Sequence, residues 1–241
     1  MRPTSTLPIR HAAPQAMRPV QRAARVAKSD APAPDTHLIY GGGTTLMLSA
    51  DGRAMASHNG LQLNRFGHHR AMGDGLFIHI AGRGGQVHFR ATGQAPVKGV
   101  SQRVVFEAGL AKYEIQSGDL QARLSVAVSP EDGTVVQYLS LKNLGGISDE
   151  VEVTGCFEAA LAARADMEAH PAFQKLFVET MRPEPAVLGF KRRAREAGKR
   201  FPIMLYAVSG AERGALSVET SREKLLGRNG SMLSGLEKDL S

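Results

Sequence analysis

The stretch LQARLSVAV, Leu120–Val128, sets Leu120, Ala122, Leu124, Val126 and Val128 against Gln121, Arg123, Ser125 and Ala127. A period of two puts one set on a core and the other toward solvent, so the stretch reads as a half-buried strand. SPEDG (Ser129–Gly133) follows as a turn, and TVVQYLSLKN (Thr134–Asn143) reads as the next strand. LGGIS (Leu144–Ser148) turns the chain again. From Val151 the alternation returns, with Val153, Gly155, Phe157, Ala159 and Leu161 on one face and Glu152, Thr154, Cys156 and Glu158 on the other. The three runs predict an antiparallel meander.

Outward from this centre the same style continues. Thr44–Ser49 and Arg53–Ser57 flank Ala50-Asp51-Gly52, and Asp-Gly between strand-like runs signals a hairpin. Leu61–Phe66, Leu76–Ile80, Val87–Arg90, Arg103–Glu107 and Ala111–Gln116 add strands, as do Ile203–Val208 and Leu216–Thr220. Helix is expected only over Ala163–Ala169 and Lys191–Ala197. The 26 glycines suit a fold built on turns. The fold class read from this pattern is all-β, a large two-sheet antiparallel sandwich over residues 36–241. Residues 1–35, rich in Pro, Ala and Arg and without apolar periodicity, read as a disordered basic arm.

Charge does not add a partner. The net charge is +7, but residues 1–35 hold +4 of it, and KRRAREAGKR (Lys191–Arg200) holds six bases against one acid. The rest is slightly acidic, so the basicity is local and no nucleic-acid motif accompanies it. The single cysteine, Cys156, cannot form an internal disulfide and fits a reducing, cytoplasmic setting. No apolar run nears the length of about 18 residues that a membrane helix needs. Aromatics are 5% of the chain and tryptophan is absent, which weighs against an aromatic-lined sugar cleft.

A search for chemistry assigns no catalytic residue, metal site or cofactor. Gly41-Gly42-Gly43 lacks the Lys and helix of a phosphate loop and reads as a turn. His68 and His69 are adjacent, so in a strand they face opposite ways. His58, His79 and His88 fall on separate strands without metal-ligand spacing. Glu107, Glu114, Asp119, Asp132, Glu152 and Glu158 read as solvated charge rather than a glycosidase pair, and Asp166 and Glu168 as parts of a connector.

VEVTGCFEAALAARADMEAHPAFQKLFVET, Val151–Thr180, resembles cyclic β-1,2-glucan synthases where "EVTSYAEVVL" leads to "HPAFSKLFVET". VAVSPEDGTVVQYLSLKN (Val126–Asn143) is similar to "AVSPEDDVEVRRVTLTN", and THLIYGGG (Thr36–Gly43) to "THLLSNGRY". ETSREKLLGRNGSM (Glu219–Met232) is similar to "ETDRARFLGRGRSL". The matches are collinear over most of the chain. SHNGLQLNRF (Ser57–Phe66) stands where the family has "SRWRDLAVTRW".

The resemblance implies the galactose-mutarotase-like supersandwich that precedes the helical barrel in glycoside hydrolase family 94, the cellobiose-phosphorylase type. It implies a non-catalytic, carbohydrate-associated chain, since the family's chemistry resides in the barrel, and a fragment or a split or degenerate copy of a longer enzyme. The implied partners are a β-1,2-linked glucan and a helical-barrel catalytic domain or a second copy. The side chains best suited to sugar hydroxyls are His58, Asn59, Asn64 and Arg65, whose imidazole, amide and guanidinium groups supply donors. The rival readings are a stand-alone carbohydrate-binding module and a mutarotase-like enzyme, which needs a histidine and an acid in one cleft.

Overall fold

The computed structural model describes residues 24–226 apart from residue 31 and residues 67–74, 83–87, 148–149, 195–197, 199–200 and 211–215. Its strands pair antiparallel in four sheets. One sheet of five runs β1 (Arg25–Ala27), β8 (Val100–Glu107), β9 (Leu110–Ser117), β10 (Leu120–Val128), β11 (Val135–Asn143). A second runs β13 (Ala159–Ala163), β5 (Leu61–Asn64), β4 (Ala54–His58), β3 (Thr44–Ser49), β2 (Thr36–Gly41). Two sheets of three complete the set: β12 (Val151–Cys156), β6 (Phe77–Gly82), β7 (His88–Arg90), and β14 (Val178–Glu184), β15 (Val187–Arg192), β16 (Met204–Ala207). Three short helices, α1 (Arg164–Ala169), α2 (Pro171–Lys175) and α3 (Arg222–Leu226), sit at the connections.

The all-β sandwich expectation holds, and its cause is visible in β10. Leu120, Ala122, Leu124, Val126 and Val128 are all buried, while Gln121, Arg123, Ser125 and Ala127 are not. They share one core with Leu46 and Leu48 of β3, Ile78 and Ile80 of β6, and Tyr113 and Ile115 of β9. Two polar bonds cross that core. The Tyr113 hydroxyl donates to the Ser49 carbonyl at 3.1 Å, and His37 Nε2 donates to the Glu107 carbonyl at 2.9 Å while its ring stacks on Phe106. Burial pushes the Tyr113 phenol pKa up, so it stays a donor.

The two large sheets also touch through their turns. Gly42 and Gly43 close β2–β3 with φ of +49° and +80°, the left-handed pair that a two-residue type I′ hairpin requires. A Cβ on Gly42 would lie 2.0 Å from the amide nitrogen of Gly133, in the β10–β11 turn. Only a bare backbone fits there, so the triple glycine is a turn used for close approach.

Several expectations need correction. The meander stops after two strands: β10 and β11 form a hairpin, but β12 leaves to pair with β6. All six residues of β6, FIHIAG, are buried, so this strand is covered on both faces and is central, with β12 and β7 on its two sides. The run from Val151 is also split. It changes sheet at Phe157-Glu158, leaving Cys156 buried and Val153 exposed, the reverse of simple alternation.

Lys191–Ala197 is not a helix where described, because Lys191 and Arg192 end β15. Leu216–Thr220 is irregular rather than a strand. The Val178–Arg192 hairpin and helices α2 and α3 had no counterpart in the pattern. The sheet begins within the expected arm, since Arg25–Ala27 pairs with Val104–Phe106. Residues 1–23 of that arm lie outside the described residues, as do His68 and His69.

The turn contact is directly testable. Gly42→Ala forces the two turns apart and should cost at least about 2–3 kcal/mol. Gly60→Ala, also at positive φ but with open space around it, should cost about 1–2 kcal/mol from backbone strain alone. Urea unfolding midpoints compare the two, and equal losses would show that the turn contact is not tight.

Candidate functional site

Of the four side chains expected to face sugar, His58 and Asn64 line one cavity, and each of the four is bonded within the protein. Asn59-Gly60 forms the β4–β5 turn, with φ of +47° and +82°, so Asn59 is there for its tolerance of the left-handed region. Its Nδ2 lies 3.0 Å from His58 Nε2, and Thr44 Oγ1 lies 2.8 Å from His58 Nδ1, so both ring nitrogens are engaged within the protein.

Asn64 serves the backbone. It is buried, its Oδ1 accepts from the Ala56 amide at 2.8 Å, and its Nδ2 donates to the Ala54 carbonyl at 2.9 Å. The ladder between β4 and β5 has only two registered pairs, Ser57–Gln62 and His58–Leu61. Where the strands part, the Asn64 amide takes over the role of a peptide group. Gln62 assists by donating to the Asn64 carbonyl at 3.0 Å.

Arg65 turns to Glu158, at 3.4 Å. That half-buried carboxylate also pairs with Lys175 of α2 and with Arg222 of α3, at 3.8 Å in the latter case. It lies in the two-residue link where the chain passes from β12 to β13, so Lys175 and Arg222 fasten α2 and α3 to the sheet change, and Arg65 ties in the end of β5. The neighbouring Phe157 packs on Phe190 (5.4 Å between centroids) and Tyr206 (5.1 Å), joining the β14–β16 sheet to the rest.

A cavity of about 400 Å³ lies between these parts. Its walls include Thr44, His58 and Asn64, Asp132 to Val135 with Gln137, Phe157, Leu161 and the Pro202–Tyr206 segment that leads into β16. It does bring a histidine and a carboxylate together. Yet the Thr134 amide, 3.0 Å from Asp132 Oδ1, with the hydroxyls of Ser129 and Thr134, holds that carboxyl below the usual range. A weakened base beside a histidine bonded at both nitrogens is poorly suited to the acid–base pair of a mutarotase. Among the described residues, no group of three or more His, Cys, Asp and Glu side chains is placed to hold a metal.

The described bases of the basic segment are likewise occupied locally. Arg192 bonds the Gln174 side chain and carbonyl and lies over Phe177 and Phe201, Arg193 lies over Phe177, and Lys191 pairs with Glu179. The sequence signal for this was the alternation of FVET and FKRR across the missed hairpin. The signal for the structural use of Asn59 was the Asn-Gly dipeptide itself.

Two outcomes are expected. Asn64→Ala leaves a buried amide and carbonyl unpaired and should cost about 2–4 kcal/mol in urea unfolding. Burial pushes the Cys156 thiol up to about 12, against the pull of Arg90. The native thiol should therefore resist a disulfide reagent at neutral pH and react on unfolding. Its stability contribution is complete below the unfolded thiol pKa and falls as pH rises from there toward the folded value. Fast native labelling would show that the site opens.

Comparison with known proteins places this architecture. The model of the family described as "Glycosyl hydrolase 94, supersandwich domain" matches residues 22–235. The match begins just before β1, in keeping with the early start of the sheet. No curated protein matches the chain. The match runs from before the first described strand to beyond α3, and on that ground the chain belongs to the glycosyl hydrolase 94 supersandwich family.

Proposed function

We propose that this chain is a non-catalytic sandwich unit that serves a β-glucan-forming or β-glucan-phosphorolysing barrel, of the kind found in cyclic β-1,2-glucan synthases and related phosphorylases. The supersandwich is a non-catalytic domain in the enzymes of its family, which makes the chain carbohydrate-associated without making it an enzyme. In this reading it packs on a helical barrel and shapes the entrance to that barrel's cleft.

The observation that carries the packing role is an apolar row on the outer face of the β2–β5 sheet. Leu38 opposes Met47, which opposes Met55, and Tyr40 lies two residues along the edge strand from Leu38. Leu38 is 65% and Tyr40 73% exposed. Contiguous apolar surface of this kind marks an interaction face in soluble proteins. The outer face of β8–β10 contrasts with it: Arg103, Glu114 and Arg123 form a charged row across the strands, with Arg123 bonded to Glu114 at 3.0 Å.

The purified chain should bind a hydrophobic dye or self-associate, and Leu38→Ser with Tyr40→Ser should abolish this with little change in unfolding midpoint. The same pair of substitutions should weaken capture of a separately expressed family barrel at least about tenfold. A monodisperse monomer that binds neither dye nor barrel sinks the reading.

A further inference from the structure

An unpaired strand edge is a template for another strand, and folded proteins blunt theirs with shortness, bulges, proline or covering side chains. Most edge strands of this molecule are so treated. β1, β7 and β16 have three, three and four residues. β13 and β14 lose register at bulges, and β14 carries Pro183. Arg25 occupies the Thr36 carbonyl on β2, and Gly155 weakens the end of β12. β11 is different. Its nine residues, VVQYLSLKN, pair with β10 in unbroken register and contain no proline, no glycine and a single charge, Lys142, near the end.

The hairpin also shows which backbone groups remain. The Ser129 amide donates to the Thr134 carbonyl and the Leu144 amide to the Asp119 carbonyl, one bond beyond each end of the ladder and both in its register. Bonded pairs alternate along an antiparallel ladder, so the even-numbered residues of β11 turn their amides and carbonyls toward β10. Val135, Gln137, Leu139 and Leu141 turn theirs outward, and among the described residues no hydrogen bond reaches those groups. Val136 and Tyr138, 49% and 70% exposed, stand beside this row on the outer face.

We propose that β11 pairs antiparallel with β11 of a second copy of this chain, about a two-fold axis at Tyr138, joining two five-stranded sheets into one. Only odd-numbered residues have groups to offer, so odd must face odd, and a two-fold axis through the strand meets this condition by symmetry. With the axis at Tyr138, Gln137 bonds to Leu139 of the other copy and Val135 to its Leu141. The two Tyr138 rings become a close cross-strand pair. The charges select the same arrangement. The turn before β11 is acidic and exposed at Glu131 and Asp132, and the strand ends on exposed Lys142. An antiparallel copy brings each Lys142 opposite Thr134 of the other, diagonal to its Asp132. A parallel copy would set acid against acid. The proposal does not rest on the packing role, because Leu38 and Tyr40 belong to the other large sheet.

Residue-resolved amide exchange on the full chain reads the pairing directly. The amides of Gln137 and Leu139 should be protected at about 200 μM chain and lose at least about tenfold of that protection at about 2 μM. Those of Tyr138 and Ser140, held by β10, should be protected at both concentrations. Gln137→Pro removes an outward donor and no bond to β10, whereas Tyr138→Lys sets like charges together on the axis. Each should weaken the dimer at least about tenfold in sedimentation, and Tyr138→Lys should leave the urea midpoint of the dilute chain unchanged. Sedimentation is run with Leu38→Ser and Tyr40→Ser in place, so that any dimer left belongs to β11. A monomer at about 200 μM overturns the proposal, and so does a dimer indifferent to both substitutions. Equal protection of Gln137 and Leu139 at every concentration would show the edge covered within one chain, and overturns it as well. Dye and barrel binding report on the Leu38 face alone.

Discussion

The contact between the Gly42 and Gly133 turns is the constraint from which much of the rest follows. It joins one corner of the two large sheets backbone to backbone, in a space that no side chain can share. The hydrophobic core could tolerate small sliding of one sheet over the other, because apolar contacts have no direction. A turn-on-turn contact cannot. It fixes Thr44 against the β10–β11 turn, and Thr44 in turn fixes the His58 ring. One wall of the cavity is thus set by the fold itself.

The opposite wall is set at the link between β12 and β13. There the chain leaves one sheet for another, and Phe157 and Glu158 point into the two things that hold the change in place. Phe157 holds the β14–β16 sheet through aromatic contact, and Glu158 holds α2 and α3 through charge. The two attachments differ in character. Aromatic packing is insensitive to salt, whereas the partly exposed ion pairs are screened by it. The sandwich itself depends on neither.

Sequence legibility tracked how each strand is buried. β10 was readable because one face is wet and one is dry, which is the case that alternation describes. β6 and β12 were not, since FIHIAG is dry on both faces and carries no period. The sheet change at Phe157 was hidden because alternation continues through it, although the side that is buried reverses. The hairpin Val178–Arg192 was obscured by its charges, and KRR looked helical because aromatic rings that absorb the guanidinium groups come from elsewhere in the chain. Arg25–Ala27 offered only three residues, with no pattern to find. The family resemblance was carried by short collinear motifs and so survived these local errors. The site was harder to read: His58, Asn59, Asn64 and Arg65 were chosen as loop donors suited to sugar hydroxyls, and each is bonded within the protein, with His58 and Asn64 on the wall of one cavity. Tyr206, one tyrosine in an ordinary strand, gave no sign in the sequence that it would wall the cavity.

Asn64 has a consequence of a different kind. Its side chain stands in for a peptide unit, and a peptide unit has one donor and one acceptor at fixed separation. Aspartate keeps the acceptor and loses the donor, glutamine is a methylene too long, and serine cannot present both at that reach. Position 64 is therefore held by strand geometry rather than by chemistry. Where the family motif closes on Thr-Arg-Trp in place of Asn64-Arg65-Phe66, the hydroxyl cannot supply both bonds, and the same corner has to be closed by other groups.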